Sequence, residues 1–378
     1  MDISGWLTGM TFPNDQPLLD VSQAAPSEPP PPRLRQALSE LILTDDSVHL
    51  YGPVLGNDDL RFEFSNHLKQ FYKSENISQK NIGITSGCNE AFAAVISTLA
   101  SQGDEIILPS PWYFNHKMWL DITGIKTVIL DTGENLTPEH NDLQGLITKK
   151  TKAVVLVTPN NPTGLEYPEF VVSKIFDACT EAGISLVIDE TYKDFDIRPL
   201  PPHNLFSKDT WAENFIHLYS FSKVFRLTGH RVGAIATSHK RLVQVEKFLD
   251  TVTICPNQLA QKAAVWGLRN LSDWVSFQKL EILKRRSLLV KQFKKIEKQG
   301  WELSGIGAYF AYVKHPFNRK SDEVARRLLD DQSILSIPGT LFSPKNSGAG
   351  DNHLRIAFAN ISCSDIVILI ERLKNFRL

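Results

Sequence analysis

Lys223 follows the apolar run Ile216–Tyr219 after only Ser220-Phe221-Ser222. A lysine at the end of an apolar strand is partly desolvated, which favours its neutral, nucleophilic amine. Asp189, followed by Glu190 and Tyr192, closes another apolar run, Ser185-Leu186-Val187-Ile188. A carboxylate there is costly unless it meets a cation. Thr85-Ser86-Gly87-Cys88-Asn89 follows the short run Ile82–Ile84 and opens a helix. Free N–H groups at a helix start, with a glycine permitting close approach, suit a phosphate, although any strand–turn–helix junction also needs a glycine. Thr158-Pro159-Asn160-Asn161-Pro162-Thr163-Gly164 follows Ala153–Val157 and reads as a rigid turn that aims an asparagine amide at the sheet edge. Arg231 lies in Gly229-His230-Arg231-Val232-Gly233, shortly after Lys223.

The elements that carry these residues alternate. Phe92, Val95, Ile96 and Leu99 share one helix face, as do Val172, Ile175, Phe176 and Cys179, with Gly183 stopping the second helix. Glu105–Leu108 and Val232–Ala236 are further apolar runs, and Thr137-Pro138 resembles a helix N-cap with proline at the first position. Strands apolar on both faces, separated by amphipathic helices, predict an α/β fold: a mostly parallel sheet covered by helices, with ligands beyond the carboxyl ends of its strands. Pro29–Pro32 predicts a stiff segment entering a helix near Arg33. Beyond residue 270 the pattern changes to one long helix, Trp274 to Gln299, roughly 40 Å in length, then strand-like Ala308–Val313 and a helix near Glu323–Leu329. This is a smaller α+β domain. The expected division is an N-terminal arm over 1–45 packing on the small domain, a large cofactor-binding domain over 46–272, and the linking helix with the small domain over 273–378.

Composition excludes much else. The 378 residues carry 41 Lys+Arg against 42 Asp+Glu, so no global charge draws nucleic acid or anionic lipid. Lys284-Arg285-Arg286 and Lys294-Lys295 are interspersed with glutamates and read as a solvated helix face. Cys88, Cys179, Cys255 and Cys363 are far apart, as reduced thiols of a cytoplasmic protein would be, and no cysteine or histidine spacing suggests a metal. Neither a signal peptide at Met1–Gly5 nor a membrane span is expected.

A phosphate cradle, an amide, a carboxylate, a phenol, a lysine and an arginine at one sheet edge match pyridoxal 5′-phosphate: the lysine for a Schiff base, the carboxylate for the ring nitrogen, the amide and phenol for the ring oxygen. The chain resembles the fold-type I pyridoxal-phosphate enzymes, specifically the class I/II aminotransferases, over essentially its whole length. The motifs are Ser-Gly-Cys-Asn-Glu-Ala (86–91), Asn-Asn-Pro-Thr-Gly (160–164), Asp-Glu-Thr-Tyr (189–192), Ser-Phe-Ser-Lys with Gly-His-Arg-Val-Gly (220–233) and Leu-Arg-Ile-Ala-Phe (354–358).

The resemblance implies an aspartate-aminotransferase-like fold and an exchange of an amino group between an α-amino acid and a 2-oxo acid through a Lys223 Schiff base. Lys223 then serves as acid and base. Asp189 pairs with the ring nitrogen, and Asn161 and Tyr192 bond the ring oxygen. Ser86, Gly87, Cys88, Ser220, Ser222 and Arg231 bind the phosphate. Tyr51 reaches the phosphate from the partner subunit, which implies a homodimer with shared active sites. Tyr113 stacks on the ring, with Trp112 the competing choice. Arg355 clamps the substrate α-carboxylate, and Asn161 and Ala24 line the substrate pocket. Two departures stand out. In Ser22-Gln23-Ala24-Ala25-Pro26, Ala24 replaces a usual glycine and narrows the pocket or re-aims the arm. At the cradle, Cys88 adds a thiol that would make the site oxidation-sensitive. The rival readings are a lyase, decarboxylase or cyclase on the same scaffold, or a ligand-sensing half of a transcription regulator, for which the Pro-rich, non-basic N-terminal residues argue poorly.

Overall fold

The computed structural model describes residues 3–25 and 28–378; Met1 and Asp2 of the N-terminal stretch and Pro26 of the Ser22–Pro26 segment lie outside the described residues. The chain divides into two compact units. The larger holds Glu28–Asn160 and Glu166–Lys279, and the smaller holds Met1–Ser27, Asn161–Leu165 and Leu280–Leu378.

Seven strands build the larger unit: β1 (Ile82–Thr85), β2 (Glu105–Ser110), β3 (Lys126–Asp131), β4 (Thr151–Val157), β5 (Ser185–Asp189), β6 (Phe215–Ser220) and β7 (Gly233–Ala236). Their spatial order is β1-β7-β6-β5-β4-β2-β3. Only β7 runs antiparallel to its neighbours, β1 and β6. Alternation along each strand feeds two separate apolar layers. Val154, Leu156, Leu186, Ile188, Phe215 and Tyr219 join one. Val155, Val187, Ile216, Leu218 and Ile235 join the other, with Phe92, Val95 and Ile96 of the helix Cys88–Leu99. The α/β class with a mostly parallel sheet is therefore as the sequence predicts.

The smaller unit has an antiparallel sheet of Ile337–Pro338, His353–Ile356, Phe310–Lys314 and Glu302–Gly307, in that order. Leu19–Asp20 pairs in parallel with Ile334–Leu335, and the Ala357 N–H donates to the Val21 carbonyl, so the N-terminal segment belongs to this unit. The segment Asn161–Leu165 packs on the hairpin between the last two strands. A Cβ on Gly164 (φ +75) would lie 2.3 Å from the Gly307 nitrogen, and one on Gly305 would lie 2.6 Å from the Thr163 carbonyl oxygen. Only glycine permits that approach.

Four local expectations change. The long helix spans Ser272–Phe293, not Trp274–Gln299: the chain turns so that Ile296 is fully buried, and Glu297–Gln299 forms a separate 3-10 turn. Thr137-Pro138 caps nothing, because the short helix begins at His140. The strand read from Ala308 starts at Phe310, with Ala308 in a left-handed turn (φ +43). The sequence reading also passed over β3, an edge strand of mixed exposure. The proline run enters a helix at Pro32–Thr44. Among the described residues no helix is long and apolar enough to cross a membrane.

Candidate active site

Asp189 ends β5 with its side chain buried. One oxygen accepts from the Thr191 N–H at 3.0 Å. The other lies 3.3 Å from His116 Nε2, within ion-pair reach but out of hydrogen-bond alignment. No lysine or arginine pairs with Asp189 among the described residues. Burial opposes its charge, but His116 and Thr191 hold its carboxyl below the ordinary range. His116, on the helix Phe114–Ile122, stacks on Phe92 at 3.9 Å between ring centroids. The sequence reading missed it. The available signal was the demand of a buried carboxylate for a positive or donating partner.

Lys223 sits half-buried in the one-turn helix Phe221–Val224, which the Ser220 hydroxyl caps by accepting from the Ser222 N–H. Tyr192 is buried just beyond Asp189, and Ser220 and Ser222 are buried beside the lysine. Gly87 (φ +92) precedes the helix Cys88–Leu99. A Cβ there would lie 2.2 Å from Arg231 Nη2, and a Cβ on Gly233 would lie 2.6 Å from the Gly87 carbonyl carbon and 2.7 Å from the Cys88 nitrogen. Arg231 holds a left-handed backbone (φ +53), strained for a side chain of its size, and its guanidinium donates to the Thr228 carbonyl at 3.0 Å and the Ser222 hydroxyl at 3.4 Å. The Ser86 N–H donates to the Glu90 carboxylate. Cys88 does not behave as expected: burial and the nearby Asp189 push its thiol well up, so the reactive thiolate is suppressed.

Tyr113 is half-buried and accepts from the Asn115 amide at 2.9 Å, while Trp112 is buried in the apolar layer; both line a small cavity with His116 and Asn160. Tyr51 is 81% exposed.

In the smaller unit Arg355 is buried on the strand His353–Ile356. It donates to the Asn161 amide oxygen at 2.9 Å and to the Ser22 carbonyl, and lies between the rings of Phe310 and Phe342 at 5.0 and 5.3 Å. Ala24 is half-buried just past Ser22.

The sequence profile of "Aminotransferase class I and II" matches residues 16–373. An aromatic aminotransferase of Arabidopsis thaliana is 27% identical over 341 residues, 88% of this chain and 82% of that protein. An aspartate aminotransferase of Pyrococcus abyssi is 28% identical over 313 residues, 82% of this chain and 79% of its own. The crystal structure of an aromatic aminotransferase from Pyrococcus horikoshii superposes with a TM-score of 0.86 at 24% identity, covering 99% of this chain and 98% of that one. The chain belongs to the class I and II aminotransferases. It is a pyridoxal-phosphate-dependent transferase, acting on an amino acid and a 2-oxo acid, with the aspartate-aminotransferase-like fold.

The residues of this aminotransferase fit its cofactor. The glycine surface that a Cβ would fill, next to a guanidinium and two buried hydroxyls, suits a phosphate. Asp189 is a buried acceptor whose partners among the described residues are His116 and the Thr191 N–H, with no lysine or arginine, as a protonated ring nitrogen requires. Further out, the sequence reading missed a group of buried polar residues behind the sheet: Tyr72, His203 and His217 around Glu190. They come from a helix, a loop and a strand, and share no periodicity.

Proposed function

We propose that this aminotransferase carries its chemistry on Lys223, with the cofactor held at the carboxyl ends of β1, β5 and β6. The observation that best supports this reading is the approach of Arg231 to the bare Cα of Gly87, which leaves a cradle for a phosphate and nothing larger than hydrogen on the glycine. Pyridoxal phosphate, when bound, supplies an electrophilic carbon and an electron-accepting ring. Lys223 would hold it covalently and, freed as an amine when the substrate amine takes its place, would accept the proton of the substrate Cα and give it back. Asp189 keeps the ring nitrogen protonated, and Asn161 and Tyr192 donate to the ring oxygen. The bare Gly87 turn with the Cys88 N–H, the hydroxyls of Ser86, Ser220 and Ser222, and the Arg231 guanidinium hold the phosphate. Tyr113 covers the ring. Arg355 pairs with the substrate α-carboxylate, beside Asn161 and Ala24.

Residues 46–272 form the cofactor-binding domain in this reading, with the N-terminal arm over 1–45 and the linking helix and small domain over 273–378. The active form is a homodimer with shared sites: Tyr51, Leu50 and Leu43 stand 81%, 66% and 81% exposed, an apolar group suited to a partner copy from which Tyr51 completes the phosphate site. The enzyme is cytoplasmic, and aromatic or acidic amino acids are the first donors to try, as the names of its relatives suggest.

Borohydride reduction of the loaded enzyme, followed by digestion, tests the assignment. The label belongs on the peptide containing Lys223, and a label elsewhere ends it. A donor screen then reads the reaction: conversion of the cofactor to its amine form supports transamination, whereas release of ammonia or carbon dioxide assigns the chain to elimination or decarboxylation.

A further inference from the structure

The end of β5 puts one carboxylate on each side of the sheet. Asp189 meets His116 in the layer of Phe92, and Glu190 enters the opposite layer, where it is 1% exposed. Its backbone continues the ladder, the Glu190 N–H donating to the Leu218 carbonyl at 2.9 Å, and its own carbonyl accepts from the Lys193 N–H at 3.0 Å. Two side chains donate to its Oε2, the Tyr72 hydroxyl at 2.6 Å and His203 Nε2 at 3.1 Å; His217 Nε2 lies 3.3 Å from the same oxygen and is hydrogen-bonded at 3.4 Å to the Tyr72 hydroxyl, whose own proton is directed at Glu190.

The partners assign the protons. His203 Nδ1 accepts from the Leu205 N–H at 3.4 Å, so its proton is on Nε2. His217 Nδ1 is buried without a partner. A lone pair there costs little, whereas a charged imidazole would strand an N–H. Both rings are therefore neutral donors, and burial pushes the His217 imidazole down accordingly. Burial opposes the charge on Glu190 too, but His203 and His217 hold its carboxyl well below the ordinary range. The neighbouring charges cancel among themselves. Lys193 pairs with Asp194 at 3.1 Å and lies 2.7 Å from His67, Tyr219 donates to Asp194 at 2.6 Å, and Arg198 pairs with Asp196 at 3.0 Å. One net negative charge remains, on Glu190, held by neutral dipoles and one residue from Asp189.

We propose that Glu190 is a positioning residue for the reaction: a carboxylate fixed behind the sheet by Tyr72, His203 and His217, it locks the turn that carries Asp189 and Tyr192 and places a second negative charge behind Asp189. That charge raises the proton affinity of any cationic group facing Asp189. The inference rests on the cofactor site proposed above.

Glu190→Gln removes the charge and keeps the shape; Tyr72→Phe removes one donor and keeps the charge. Glu190→Gln should release pyridoxal phosphate about tenfold more readily, the size of one lost charge-assisted contact. It should also lower the pH midpoint of the enzyme's visible absorbance by about one unit, as expected for a charge acting across roughly 10 Å of protein. Tyr72→Phe should loosen the cofactor severalfold and leave the midpoint in place. In the cofactor-free chain, nitrogen NMR should show His203 and His217 as neutral Nε2–H tautomers. A Glu190→Gln enzyme with unchanged cofactor affinity and midpoint, whatever its melting temperature, overturns the proposal, as does a charged ring at either histidine. If that variant does not fold, Tyr72→Phe and His203→Gln carry the test, and cofactor affinity unchanged in both overturns it. A wild-type chain that takes up no cofactor overturns the site reading as well; one that loads normally while Glu190→Gln matches it overturns this inference alone.

Discussion

Asp189 and Glu190 are adjacent, equally buried and of the same chemistry, yet the protein treats them in opposite ways. Behind the sheet, Glu190 has two donors on one oxygen, Tyr72 and His203, and His217 is hydrogen-bonded to that tyrosine. In front, Asp189 has a backbone N–H and an imidazole that is close but misaligned. A buried charge that the protein satisfies is a structural group. One that it satisfies only in part is a ligand-binding group, and the deficit has the sign of the ligand. Arg231 and Gly87 repeat the lesson with opposite charge: strained backbone and a bare Cα, with the guanidinium held among the described residues by a carbonyl and a distant hydroxyl. The front should therefore answer to mutation in activity alone, and the back in stability as well as in the cofactor affinity that depends on the turn it locks.

Lys223→Ala gives the largest expected effect. It should lower turnover by about four orders of magnitude, while the melting temperature of the cofactor-free chain stays within a degree or two. A large loss of stability would erase the front–back distinction at once. Asp189→Asn comes next, with turnover down about a thousandfold through loss of one preorganised charge. The same change should leave the cofactor-free chain as stable or about 1 kcal/mol more stable, because it removes an underpaired buried carboxylate. Differential calorimetry with and without pyridoxal phosphate reads both numbers. The order must invert between them: the variant gains without the cofactor and loses with it.

Much of the front was legible in the sequence, because each of its residues follows an apolar run that could only be a buried strand. Asp189 ends β5, and Lys223 and Gly87 follow within three residues of the ends of β6 and β1. His116 was not legible, since its partner is on another element and nothing in Phe114–Ile122 marks one imidazole as special. The back was invisible for the same reason, multiplied: Tyr72, His203 and His217 meet Glu190 only through the tertiary fold. Helix limits failed where packing overrode composition. No glycine or proline interrupts the chain between Phe293 and Gly300, yet the helix ends at Phe293 so that Ile296 can be buried.

Gly87→Ala sharpens the comparison at the phosphate end. The new methyl would collide with Arg231 Nη2 and would have to hold φ +92. Cofactor affinity should fall at least tenfold, given about 1–2 kcal/mol of backbone strain alone plus a displaced guanidinium. Gly183→Ala is the control: it shares a positive φ, +67, but nothing lies within 4 Å of the added Cβ. It should cost about 1 kcal/mol of stability and leave cofactor affinity as it was. Equal losses of affinity in the two variants would show that strain, not the shape of the cradle, sets binding.

The smallest effect is in acid, and it belongs to the back. His203 and His217 hold Glu190 below its ordinary range against burial, and Lys193 does the same for Asp194. A carboxyl depressed in the folded state contributes stability that is complete above the unfolded value, about 4, and is lost as pH falls toward the folded one. Burial also lowers the His67 and His217 imidazoles, so the unfolded chain gains protons there first, below about pH 6.5. The melting temperature should therefore slope gently downward from pH 6.5 to 5 and more steeply from 5 to 3, by a few degrees in all. Glu190→Gln starts from a lower melting temperature at pH 7, having lost two hydrogen bonds to a full charge, but it should flatten the steeper limb. Asp189→Asn should flatten it less, because Asp189 has fewer partners to lose in the folded state. If the two variants flatten the limb equally, the back holds its carboxylate no better than the front does, and the distinction drawn from their hydrogen bonds does not extend to energy.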